Sequence, residues 1–116
     1  MRDSDLLGKI NDGVFFEKIF GPERDWDAAL DARDAIAFDT AWRESCDKLP
    51  QDDAATATAP VREAAFKAVF RLTGNPDLAV YVSDDFGLIA QARLQAADIA
   101  FIDSLWDCYA RGEFPA

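Results

Sequence analysis

The side chains able to do chemistry in this chain are carboxylates, a smaller set of cations and two cysteines, because the sequence contains no histidine. That absence excludes a Ser-His-Asp triad, a Cys-His dyad and the usual His-containing metal sites. Cys46 and Cys108 lie 62 positions apart and form no CxxC motif, so zinc knuckles and thioredoxin-like exchange find no support. Both sit on apolar helical stripes and read as buried thiols, a poor setting for a reactive thiolate.

Asp85-Phe86-Gly87 spells the magnesium-binding tripeptide of protein kinases. A chain of 116 residues without a phosphate loop or a catalytic HRD cannot form a kinase, so the match is discounted. Asp84 and Asp85 are neighbours, and neighbours on a helix point about 100° apart, so they do not converge on a metal or substrate unaided. The pair reads as acids in the first turn of a helix, with a partner contact as the functional alternative.

Glu23, Asp27, Asp31 and Asp34 recur at steps of 4, 4 and 3, which places them on one helical face with only Arg24 and Arg33 nearby. Such a face is ordinarily solvated; its functional reading is a docking surface for a basic partner. Trp26, flanked by Asp25 and Asp27, is the tryptophan best placed for an interface. The candidate partner-binding residues are therefore Glu23, Trp26, Asp27, Asp31, Asp34, Asp84 and Asp85. No catalytic site, metal site or cofactor is expected.

The charge balance supports the same direction. Twenty-two acidic residues against twelve basic ones leave a formal charge of −10, which argues against a nucleic-acid binder. The longest uncharged run, 54–61, is far short of a membrane span, and residues 1–5 carry no signal-peptide pattern, so a cytoplasmic location and no membrane partner are expected. The expected function is a non-enzymatic, acidic protein-binding module, an inhibitor or immunity-type protein that masks a basic partner such as a toxin or nuclease. That expectation rests on charge and size alone. The alternative is a small regulatory or structural subunit of a larger complex.

These residues must be positioned by helices. Twenty-one Ala outnumber the fifteen Val, Ile and Thr together, which predicts an all-α fold, a compact bundle of four to six helices with no substantial sheet. The length fits one domain, 1–116, with a mobile loop at about 50–59. Residues 1–12 show little pattern. Val14, Phe15, Phe16, Ile19 and Phe20 predict one or two helical turns stopped at Gly21-Pro22. A single long helix is favoured from about 23 to 49, although its apolar face rotates midway and a bend at 34–39 would explain that too.

Thr58 is the candidate N-cap of the next helix, with Pro60 in its first turn and Gly74 ending it. Asn75-Pro76-Asp77 restarts a helix at once. A continuous helix over 78–96 would set Asp85 inside the apolar stripe of Leu78, Val82, Phe86 and Ile89, where an unpaired charge is costly, and would bury Gly87 in a helix interior. A break with Ser83 as N-cap is favoured for that reason. The last helix, about 98–111, carries Ile99, Ile102, Leu105, Trp106 and Tyr109 on one face. The expected core is Phe16, Phe20, Leu30, Phe38, Trp42, Val61, Phe66, Val69, Leu78, Val82, Phe86, Ile89, Ile102, Leu105 and Trp106.

Overall fold

A computed structural model describes residues 3–21, 25–49 and 54–115. The described residues form seven α-helices and no strand: α1 (Asp3–Asn11), α2 (Gly13–Phe20), α3 (Trp26–Arg33), α4 (Ile36–Asp47), α5 (Ala54–Thr73), α6 (Pro76–Leu94) and α7 (Ala100–Ala110). The all-α expectation holds, with seven helices among the described residues in place of the four to six expected.

The long α5–α6 hairpin is the spine, with α1 and α2 packed on α5 and α7 on α6. Its corner is built by local chemistry. Gly74 takes a left-handed φ of 65°, and the Asn75 side chain accepts from the Leu78 amide at 3.1 Å, so α6 starts one residue later. Pro76 at the first helical position lacks an N–H that would have had no partner.

Helix α6 is continuous through Ser83, which corrects the expected break. From Asp85 to Ala92 every residue is buried, so this half of α6 has no polar face. A helix surrounded by protein is apolar all round, and stripe arguments lose their force there. Ser83 is not a cap; its hydroxyl donates to the Arg62 carbonyl at 2.9 Å and ties α6 to α5. A Cβ on Gly87 would lie 2.6 Å from Arg62 Cδ, so glycine here admits the Arg62 side chain across the helix.

Three further expectations are corrected. Residues 3–11 form α1, held by buried Ile10 and half-buried Leu7, an i, i+3 pair sufficient to seat a short helix. The single helix over 23–49 is two helices, divided at Asp34 and Ala35, where Ala35 turns to an extended ψ of 135°. Dividing the chain resolves the rotating apolar face, because α4 leaves in a new direction. Residues 54–59 of the expected loop are helical, while 50–53 lie outside the described residues. Thr58 therefore lies inside α5 as a buried acceptor for Arg62 Nε at 3.1 Å, and Pro60 is interior to the helix.

The core is aromatic at its centre. Phe16, Phe20, Phe86 and Tyr109 are almost wholly buried, and Phe86 meets Phe16 at 5.2 Å and Tyr109 at 4.9 Å between ring centroids. Phe38, Trp42, Phe66 and Trp106, expected in the core, are half-buried at its edge. Trp106 is stacked on Phe15 at 5.8 Å and capped by Arg93 at 4.7 Å. Neither cysteine is fully buried, although burial pushes the Cys108 thiol up despite nearby Arg111.

Helix α7 ends in a Schellman turn. Gly112, at φ 83°, donates to the Tyr109 carbonyl at 2.9 Å, and Glu113 donates to the Cys108 carbonyl at 3.0 Å. The reversal returns Phe114 to the core beside Phe20, Trp26 and Tyr109. Among the described residues no helix is long and apolar enough to cross a membrane.

Continuity of α6 is testable by native-state hydrogen exchange. Backbone amides of residues 83–90 are expected to exchange as slowly as those of the α5 interior, since both belong to the buried spine. Fast exchange at 83–85 alone would restore the break.

Candidate functional site

Asp85 is the centre of the site. Its side chain is wholly buried, at 0 % exposure, and its carboxylate accepts four hydrogen bonds. Arg33 of α3 donates through Nη1 to Oδ2 at 2.6 Å and through Nη2 to Oδ1 at 2.7 Å, a bidentate pair. Trp42 of α4 donates its indole N–H to Oδ1 at 2.9 Å, and Tyr109 of α7 donates its hydroxyl to Oδ2 at 2.6 Å. Four donors fill the lone-pair positions of the carboxylate. Asp85 therefore has no free capacity to act as base, nucleophile or metal ligand.

The Arg33 guanidinium is enclosed by the rings of Phe38, Phe114 and Tyr81 at 4.7, 5.2 and 5.4 Å. Burial opposes its charge, but the hydrogen bond and charge of Asp85 more than offset this, and its pKa is raised. Burial, reinforced by the negative charge of Asp85, holds the Tyr109 hydroxyl well above the usual tyrosine range, so it remains a donor at neutral pH.

Beside this knot opens a cavity of about 210 Å³, bounded by α4, α6 and the α3–α4 turn. Phe38, Trp42 and Tyr81 give it an aromatic wall; Asp34, Asp39 and Asp84 give it carboxylates. Asp39 is paired with Arg43 at 3.1 Å, whereas the side chains of Asp34 and Asp84 have no hydrogen bond or ion pair among the described residues. Burial, with the adjacent Asp85 charge, raises the Asp84 pKa, and Arg62 and Arg33 offset this only in part.

The sequence candidates separate accordingly. Asp27, Asp31, Asp34 and Asp84 are exposed, and Asp34 joins the α3 acids to the cavity. Glu23 lies outside the described residues. Trp26 is half-buried against Phe20 at 5.2 Å and Phe114 at 6.1 Å, so most of its surface serves the core. Asp85 is withdrawn from the surface altogether, which corrects its assignment as a partner contact. Neither Asp84 nor Asp85 is in a first turn; both are mid-helix.

Sequence reasoning missed Arg33, Tyr109, Tyr81 and Asp39 as members of the site. One signal was available: a charge in an apolar stripe requires a counter-charge, and Arg33 follows Ala29 and Leu30 on the inward face of α3. Among the described residues no group of three or more Cys, Asp or Glu side chains is arranged to hold a metal ion. The arrangement is an aromatic and acidic concavity that Asp34 joins to the acidic helix α3.

Asp85→Ala should cost about 3–5 kcal/mol in urea unfolding, because it leaves Arg33 buried without its counter-charge. The double change Arg33→Met with Asp85→Leu should recover much of that loss. A cost below about 1 kcal/mol for Asp85→Ala would show the pair to be open to water.

Asp84 gives the opposite sign. Its folded pKa is above the ordinary 3.8, so its favourable contribution is complete only below that pH and is lost as pH rises through the folded pKa. Asp84→Asn should therefore raise the urea midpoint at pH 7, by an amount that shrinks as pH falls toward 3.8. A lower midpoint at pH 7 would reverse this reading.

A family model described as Immunity protein PIM1 matches residues 5–116 of the chain. No curated protein matches it.

Proposed function

As the chain belongs to the Immunity protein PIM1 family, we propose that it is a non-enzymatic inhibitor that captures a basic toxin domain on its acidic surface. The surface runs along α3 through Asp27 and Asp31, crosses the α3–α4 turn at Asp34 and reaches Asp84 at the cavity. The observation that carries this reading is that these four side chains are exposed and form no ion pair or hydrogen bond among the described residues.

Exposed carboxylates without partners add little to folding, and like charges on one face repel. Their physical effect is a negative field directed outward, strengthened by the chain's net charge of −10. Such a field raises the encounter rate with a positively charged partner, while packed anchors at the contact set the dissociation rate. An inhibitor that must reach its toxin before the toxin reaches a target gains from both. Masking the toxin requires no bond to be made or broken.

Reversing two charges, Asp27→Lys with Asp31→Lys, should slow association with the toxin domain strongly at low salt. The difference should shrink as ionic strength rises toward ~0.5 M, where screening acts within a few ångströms. Folding stability should stay within roughly ±0.5 kcal/mol of the parent. Stopped-flow or surface-binding kinetics measures the first, urea unfolding the second. An association rate indifferent to both the reversals and salt would remove the acidic face as the docking surface.

A further inference from the structure

We infer that the cavity between α4 and α6 is a subsite for one arginine side chain of the toxin domain. The inference rests on the toxin-capture reading and adds the chemical group that enters the protein.

Size restricts the occupant first. About 210 Å³ is roughly seven waters at ~30 Å³ each, room for one long side chain and too little for a folded loop. Charge restricts it next. Arg33 is paired with Asp85 and Arg43 with Asp39, which leaves Asp34 and Asp84 as lining carboxylates with no ion pair among the described residues, the charge of Asp84 being offset only in part by Arg62 and Arg33. The complementary occupant is a cation.

The wall then favours a planar one. Phe38, Trp42 and Tyr81 present aromatic surface to the cavity, and two of these rings already hold a guanidinium, that of Arg33. A guanidinium is more weakly hydrated than an ammonium and stacks on aromatic faces, so arginine enters at lower desolvation cost than lysine. An incoming cation would also relieve the repulsion between Asp84 and Asp85.

A second observation comes from the other side of the wall. Arg33, itself a lining residue, is 4 % exposed, and its Nε–H is buried with no acceptor. Buried donors without partners are uncommon, so the wall of the cavity holds a polar group whose bonding is incomplete. Ile36, between Asp34 and Phe38 in sequence, is 84 % exposed and offers an apolar contact to a partner seated on the α3–α4 turn. An anchor in a pocket with a water-excluding surround is the usual anatomy of a binding hot spot.

The test has two arms. In the first, Nα-acetyl-arginine methylamide is titrated into the ¹⁵N-labelled protein. Saturable shifts are expected at the Trp42 indole N–H and the Arg33 Nε–H, with none from the neutral citrulline analogue. Equal response to citrulline, shifts confined to α1 and α5, or no saturable shift would each overturn the inference. In the second arm, Asp84→Asn and Tyr81→Ala are measured against the toxin domain, with melting curves confirming the fold. Each should weaken binding by roughly tenfold, chiefly through faster dissociation. Unchanged affinity in both variants overturns the subsite whatever the free probe does. If the Asp27 and Asp31 reversals still slow association in that case, the acidic docking face survives without the arginine subsite; if they do not, both readings fall together.

Discussion

Solvation of the Asp85 carboxylate by protein donors is the constraint on which the rest of the structure depends. A wholly buried carboxylate in an apolar bundle is untenable unless its charge and lone pairs are met. Here the donors come from three other helices, so one side chain on α6 fixes the positions of α3, α4 and α7. A buried ion pair of this kind adds little net stability compared with apolar packing, but it penalises every arrangement that separates its members. Specifying one arrangement matters most for α3 and α4. Within its helical span α4 buries only Ser45, and α3 buries Ala29, Leu30 and Arg33. Apolar contact alone would leave both weakly held, yet these two helices carry the acidic surface and one wall of the cavity.

The same constraint explains which parts of the structure were legible in the sequence. Helical content followed from alanine and from 3.6-residue periodicity, and the α5–α6 corner followed from Gly74, Asn75 and Pro76, because propensity and capping are local. Phe16, Val69, Leu78, Phe86 and Leu105 were legible as core from spacing alone. Asp85 was not, because its environment depends on Arg33, 52 positions earlier, and on Tyr109, 24 positions later. Reading it as a charge without a partner forced a break into α6 that the counter-charge makes unnecessary. The division at Asp34 has a related origin: no proline or glycine marks it, only the rotation of the apolar face hints at it, and it lets Arg33 and Trp42 both reach Asp85. The acidic helix face was visible as a period of charges, whereas the cavity, assembled from three segments, was not.

Paired and unpaired carboxylates are separated in space within one short region. Asp85 is inside and neutralised; Asp84, next to it, faces outward, and its charge is disfavoured by burial and by its neighbour. Stability alone would favour a neutral residue in place of Asp84. Under the proposed capture of a basic toxin domain that arrangement has a purpose: negative charge held on a fixed surface leaves little ordering to be done on binding. In that proposal the Arg33–Asp85 knot holds the surface in place, and Asp27, Asp31, Asp34 and Asp84 supply the charge.

The central claim is that the toxin domain is captured on the α3–α4 surface which the Asp85 knot holds in place. A crystal structure of the complex tests it most directly. The expected result is a toxin domain seated over α3, the α3–α4 turn and the cavity, with basic side chains against Asp27, Asp31, Asp34 and Asp84 and with the Arg33–Asp85 pair undisturbed. A toxin seated on the opposite concavity, beside Ile10, Lys67 and Leu72, with α3 and α4 left in solvent, would contradict it.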